Sequence, residues 1–166
     1  MEPRIKNPGL IIPEATKAVL ALNAAAHRGG VPATTLALSH LRASQINGCS
    51  VCVYIGVSMA KKSGESDERI GTVAAWRDAP YFTDSERAAL ALTEAVTRLA
   101  DRSDPVPDEI WNEAARHFDE RGLSALLIEI AVTNVFNRLN VATRQVAGWL
   151  PEAEAPAARS REMAHA

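Results

Sequence analysis

Several features are scarce in this chain, and each scarcity removes a class of function. Charge is nearly balanced, with 18 Lys and Arg against 20 Asp and Glu and a formal net charge of −2. A basic field of the kind that phosphate backbones select is absent, so nucleic acid is not expected as a partner. The N-terminus, Met1-Glu2-Pro3-Arg4-Ile5-Lys6, runs into Asn7, Pro8 and Gly9 without the apolar core and small-residue cleavage site of a secretory signal. The longest greasy stretch, Ala125 to Phe136, is interrupted by Glu129, Thr133 and Asn134, which predicts no membrane span. A soluble, cytoplasmic protein is the expectation. Asn-Gly or Asp-Gly turns between alternating apolar residues are also missing, which counts against paired strands. Finally, there are only two cysteines. A chain of this length buries roughly 70% of the surface its unfolded form exposes, so it needs no disulfide staple. In a reducing compartment a close cysteine pair is more often catalytic or metal-binding than structural.

What the sequence does contain is helical punctuation. Pro13 suits the first position of a helix running to His27, and Gly29-Gly30 ends it. Pro32 opens a second helix, closed near Asn47-Gly48. Thr83-Asp84-Ser85-Glu86 is a capping box that starts a helix to about Ala100. Its apolar stripe is Ala88, Ala91, Leu92, Ala95, Val96 and Leu99, with Glu86, Arg87, Glu94 and Arg98 largely elsewhere. Pro107, Asp108 and Glu109 open another, and a long helix from about Gly122 to Ala147 is apolar on more than one face. The reading is all-α: one domain of six or seven helices over residues 1–150, with a mobile tail at 151–166. Val51 to Val57 resists it, because β-branched and aromatic residues there favour a strand by local propensity.

The chemistry centres on Cys49-Ser50-Val51-Cys52, placed where a turn enters the first turn of a helix. Side chains three apart at that point project to one side, within reach of an intramolecular disulfide. The helix start also stabilises a thiolate. Two alternatives stand beside a redox pair. Free cysteines are often small core residues. Zinc is the other, although a structural site wants four ligands and only scattered His27, His40, His117 and His165 could join the thiols.

Three segments carry a family resemblance. Leu41-Arg-Ala-Ser-Gln-Ile-Asn-Gly-Cys-Ser-Val-Cys52, Trp76-Arg-Asp-Ala-Pro-Tyr-Phe-Thr-Asp-Ser-Glu-Arg-Ala-Ala-Leu90 and Asn134-Val-Phe-Asn-Arg-Leu139 together resemble the alkylhydroperoxidase D-like (carboxymuconolactone decarboxylase) family, over about Pro13 to Gly148. The resemblance implies that family's helical fold, with Val51 to Val57 helical. It implies that Cys52 reacts with a hydroperoxide to form a sulfenic acid, which Cys49 resolves as a disulfide. A thiol donor protein then re-reduces the pair, with no metal or organic cofactor. It also implies trimers or hexamers, and a homo-oligomer is expected independently from the surplus of apolar helix surface.

The chain departs from the family where a proton relay is expected. A Glu twelve positions before the first cysteine and a His four positions after the second fall on Ala37 and Gly56. Neither transfers a proton, and a glycine inside a helix costs about 1 kcal/mol relative to alanine. Restoring both side chains is expected to raise peroxide turnover. His40, three residues after Ala37 and so on roughly the same helical face, is the candidate substitute base; the alternative is a histidine satisfied in the core. Tyr54 reads as a packing residue, and Asn134, Asn137 and Arg138 as ties between helices. The expected function is a thiol-dependent hydroperoxide reductase or dithiol/disulfide oxidoreductase using Cys52, Cys49 and His40. The alternatives are a non-catalytic oligomeric binding or redox-sensing protein that has lost the relay and, more weakly, a decarboxylase of the muconolactone type.

Overall fold

A computed structural model describes residues 2–148, and the tail expected to be mobile at 151–166 lies outside them. Among the described residues there are eight α-helices, one 3-10 turn and no strand. They are α1 (Pro8–Ile11), α2 (Pro13–Ala26), α3 (Ala33–Ile46), α4 (Ser50–Lys62), α5 (Asp67–Thr72), α6 (Asp84–Thr97), α7 (Asp108–His117) and α8 (Glu120–Thr143), with the 3-10 turn Val73–Ala75 after α5. The short α1 and α5 account for the excess over the six or seven expected. Helices α2, α6 and α8 stop one to four residues before the expected ends, since their last turns run into caps at His27, Arg98 and Arg144.

The punctuation works as the residues require. Thr83 and Glu86 form both halves of the capping box at the start of α6. Asp119 caps α8 through Gly122 N, and Gly48, at φ 65°, supplies the left-handed turn between α3 and α4. Val51 to Val57 lies in α4 despite its strand propensity. Its N-cap and its packing against α3 and α8 outweigh a local preference of about 1 kcal/mol at most.

Helix α8 runs through the middle, touching α2, α3, α4, α6 and α7. By length and composition it could cross a membrane, but 56% of its most apolar window is buried in the fold, as expected of a core helix. One core, with Leu38, Leu41, Val73, Trp76, Phe82 and Leu90, lies where α3, α4 and α6 meet. A second, with Leu36, Leu92, Ala114, Leu123 and Leu126, lies among α3, α6, α7 and α8.

Helix α6 departs from the expected division into an apolar stripe and a polar remainder. Glu86 and Glu94 are buried, while Leu99 is exposed beyond the helix end. Glu94 accepts from Trp76 Nε1 at 3.1 Å and from Arg42 Nε at 2.7 Å, and pairs with Arg77 and Arg98, clamping α6 to α3 and the segment after α5. Burial alone would raise its pKa, but these donors outweigh it and hold the carboxyl down to about 2.

Candidate functional site

Cys49 and Cys52 are joined as a disulfide across the start of α4, with Cα atoms 5.2 Å apart. Cys49 is the N-cap, its Sγ accepting from Cys52 N at 3.2 Å, so its sulfur takes the place that a Ser or Asp oxygen usually fills. Both residues are nearly buried, 2% and 3% exposed, yet they border different spaces. Cys52 lines a cavity of about 310 Å³, whereas Cys49 lines an adjoining groove with Ser50, Val141 and Arg144; Asn140 and Gln145 border both.

The turn carrying the cysteines is held from α8. Asn47 Nδ2 donates to Asn134 Oδ1 at 3.0 Å and to Asn137 Oδ1 at 2.7 Å, and Asn137 donates in turn to Ser44 Oγ at 3.2 Å. Arg138 folds back on Asn134. Asn134 and Asn137 thus tie helices together, as read from the sequence, whereas the bonds of Arg138 stay within α8. The next asparagine in the same spacing was missed. Asn140 Nδ2 reaches Cys52 Sγ at 3.4 Å, a donor positioned to stabilise a thiolate there. Its signal was the three-residue repeat Asn134, Asn137, Asn140, of which only the first two belong to the motif that was recognised. Asn140 also accepts from Asn7 at 3.4 Å, so the segment before α2 braces it.

The cavity wall is mostly apolar, from Leu10, Leu20, Ile55, Met59, Phe136 and Leu139, and His40 is among its polar members. Its side chain is 12% exposed, Nδ1 lies 3.1 Å from Thr133 Oγ1, and Nε2 is buried without a hydrogen-bond partner. Burial lowers its pKa, and the nearby backbone of Cys52 opposes this only in part, although it forms no hydrogen bond of ordinary geometry with Nε2. His40 therefore sits as a neutral, unsatisfied base on the wall that carries Cys52.

A second group at the site was missed entirely. Glu129, in the middle of α8, is 1% exposed and accepts from Asn23 Nδ2 at 2.6 Å. Its carboxylate lies 3.8 Å from His40 Nδ1 and 3.5 Å from His27 Nε2. Burial pushes its pKa up to about 7, against the opposing hydrogen bonds from Asn23 and Thr133. The sequence showed Glu129 only as an interruption in an apolar stretch, which was itself the clue. The remaining candidates do not gather at the site: His117 pairs with Glu113 on α7, and Tyr54 is half-buried outside the cavity lining. His165 lies outside the described residues, among which no three His, Cys, Asp or Glu side chains converge as metal ligands.

The relay positions have a structural account. Ala37 is buried in the α3–α4 core, and a Cβ on Gly56 would stand 3.0 Å from His40 Cδ2 and 3.4 Å from Leu41 Cα. Gly56 lets α3 approach α4, and the His40 ring fills the room a side chain at 56 would need. Restoring both relay side chains therefore meets occupied space, so the gain expected from that double change does not fit this geometry.

Eight helices among the described residues around a buried Cys-x-x-C turn, with Cys52 on a mostly apolar cavity, define an alkylhydroperoxidase D-like helical protein. The chain belongs to the carboxymuconolactone decarboxylase family, whose model matches residues 13–95. It is 33% identical over 132 residues to the uncharacterized protein YdfG of Bacillus subtilis (strain 168), covering 80% of this chain and 88% of that one. In structure it is similar to ATU0492 of Agrobacterium tumefaciens, a protein of unknown function provisionally assigned as the antioxidant defence protein AhpD. The TM-score is 0.81 at 33% identity, over 90% of this chain and all of that one. The debrominase Bmp8 shares the fold at 20% identity, with a TM-score of 0.72 over 81% of this chain and 72% of that one.

Proposed function

We propose that this protein is a dithiol/disulfide oxidoreductase that reduces hydroperoxides, with Cys52 as the attacking thiol, Cys49 as the resolving thiol and His40 as the base. The observation that carries this reading is the set of three groups at one place: the Cys52 sulfur at the cavity wall, the Asn140 amide donating to it, and the unpartnered Nε2 of His40 in the same lining. The Cys52 thiolate attacks the distal oxygen of ROOH and the O–O bond breaks. The leaving alkoxide becomes ROH with the proton that His40 took from the Cys52 thiol, and Cys52 is left as a sulfenic acid. Cys49 then forms the S–S bond and releases water. A dithiol donor restores both thiols, and the groove on the Cys49 side is the approach that leaves the cavity free for substrate.

The provisional AhpD assignment of ATU0492 supports the antioxidant reading. The need to keep the pair reducible favours the cytoplasm as its compartment. Exposed apolar residues on α1 and α2 (Leu10, Ile11, Leu20, Leu22) and on α8 (Val135, Leu139) favour a homo-oligomer, a trimer or hexamer, that covers them. Near-complete burial of both sulfurs favours, as a second reading, a slow redox sensor of the same chemistry.

The test is consumption of an organic hydroperoxide with dithiothreitol as donor. The enzyme reading expects multiple turnovers, abolished by Cys52→Ser, with a sulfenic acid trapped in Cys49→Ser. Oxidation that stops after one equivalent in the presence of excess donor would leave the sensor.

A further inference from the structure

Reduction of a hydroperoxide consumes protons as well as electrons: ROOH + 2 e⁻ + 2 H⁺ gives ROH + H₂O. A dithiol donor returns both over the whole cycle, but in the oxidative half the proton of the attacking thiol must be held and then delivered to the leaving oxygen, beside sulfurs that are 2% and 3% exposed. A line of polar groups leads from the solvent to that place. His27, at the C-terminus of α2, is 35% exposed, and its Nε2 lies 3.5 Å from Glu129 Oε2. Thr133 Oγ1 lies one helical turn after Glu129 on α8, hydrogen-bonds to its carboxyl and stands 3.1 Å from His40 Nδ1. His40 then turns its unpartnered Nε2 to the buried side, within the lining shared with Cys52.

We propose that Glu129 is the proton reservoir behind His40 and that His27 is its inlet from solvent. The order is His27, Glu129, Thr133, His40, Cys52, built from α2, α3 and α8. This rests on the attack by Cys52 proposed above. Its members replace the absent side chains at Ala37 and Gly56 with groups at other positions. Glu129 acts through His40, as a positioning and proton-holding residue. His27, at the end of α2, and His40 from α3 are the charged or titratable groups paired with Glu129 among the described residues, and Asn23 donates to Oε2, the oxygen that faces His27. A carboxyl that titrates near neutrality, where burial has placed Glu129, both takes and gives a proton at little cost.

Two measurements test the inference, one of them without any hydroperoxide. In the reduced Cys49→Ser protein, the rate of Cys52 alkylation by iodoacetamide is followed against pH. Glu129→Gln is expected to move its midpoint upward by at least one unit, because an amide cannot support the His40 imidazolium that pairs with the thiolate; Glu129→Asp should restore part of the shift. Thr133→Val, which cuts the same link, serves if Glu129→Gln fails to fold. Superimposable profiles for the parent and the folded variant would overturn the Glu129–His40 link. In the second measurement, hydroperoxide turnover is compared in weak buffer and in imidazole. His27→Ala is expected to lose at least tenfold in weak buffer and to regain most of it with imidazole, which a merely structural loss would not do. Parent-like turnover of His27→Ala in weak buffer, or a loss that imidazole leaves unchanged, would overturn the inlet. If the parent consumes no hydroperoxide, the functional reading fails, and the alkylation profiles still decide the link between Glu129 and His40.

Discussion

The ring of His40 occupies the space that a side chain on Gly56 would enter, with Cδ2 3.0 Å from the position of the missing Cβ. The two residues therefore constrain each other across the α3–α4 contact, and a change at one is read at the other. Gly56→His forces the ring aside or strains the helices, and overpacking of this kind costs about 1–3 kcal/mol. Urea denaturation should show that loss, with or without Ala37→Glu. Gly56→Ala should change stability little, because a helix-propensity gain of about 1 kcal/mol offsets the contact. It should still slow Cys52 alkylation, since the base has been displaced.

Asn140→Ala removes the amide that donates to Cys52 Sγ. A hydrogen bond to a charged group contributes about 1.5–3 kcal/mol, which corresponds to a rise of about one to two units in the thiol pKa. Alkylation of Cys52 at pH 7 should slow about tenfold or more. Asn140→Asp should slow it further, because a carboxylate repels the thiolate that an amide stabilises.

Glu94→Gln should destabilise the fold by about 3 kcal/mol at pH 7, the size expected for a buried carboxylate that loses its charge beside three arginines. The pH dependence has a definite sign. The folded pKa of about 2 lies below the ordinary 4.5, so the stabilisation is complete above pH 4.5 and is lost as pH falls toward 2. Acid unfolding of the parent in that window should be blunted in the variant, which has no carboxyl there to protonate.

Glu129 has the opposite sign. Its folded pKa of about 7 lies above the ordinary 4.5, so between those values the folded protein holds a proton that the unfolded chain has released. Stability contributed by this group is greatest below pH 4.5 and falls as pH rises to 7, by about 3 kcal/mol at most. Glu129→Gln should remove that decline, leaving the protein more stable than the parent at pH 8 in equilibrium denaturation.

Much of the architecture was legible because it is written in short-range chemistry. The Thr83–Glu86 box, the prolines at helix starts and Gly48 after Asn47 each act within a few residues. The cysteine turn was visible for the same reason. Residues 51–57 were not, because packing against α3 and α8 decided against their own preference. Glu94 and Glu129 were misjudged or missed for a related reason: a carboxylate in an amphipathic pattern looks like solvated surface until its partners, here 52 and 106 residues away in Arg42 and Asn23, are brought to it. His40 could be named from its helical face alone, but its meaning depended on the missing side chain at Gly56, whose place its ring takes.

Asn134, Asn137 and Asn140 follow one another at a step that falls short of a helical turn, so each is rotated by about 60° from the one before while advancing about 4.5 Å along the axis. The row winds around α8 as the chain packed against it turns from the end of α3 into α4. The first two asparagines meet Asn47, and the third meets the sulfur five residues later. The helix thus works as a phase gauge for the cysteine turn. Removing a single residue between Ile130 and Asn134 would shorten α8 by only about 1.5 Å, yet it would swing the whole row through about 100° and turn all three amides away from the turn they index.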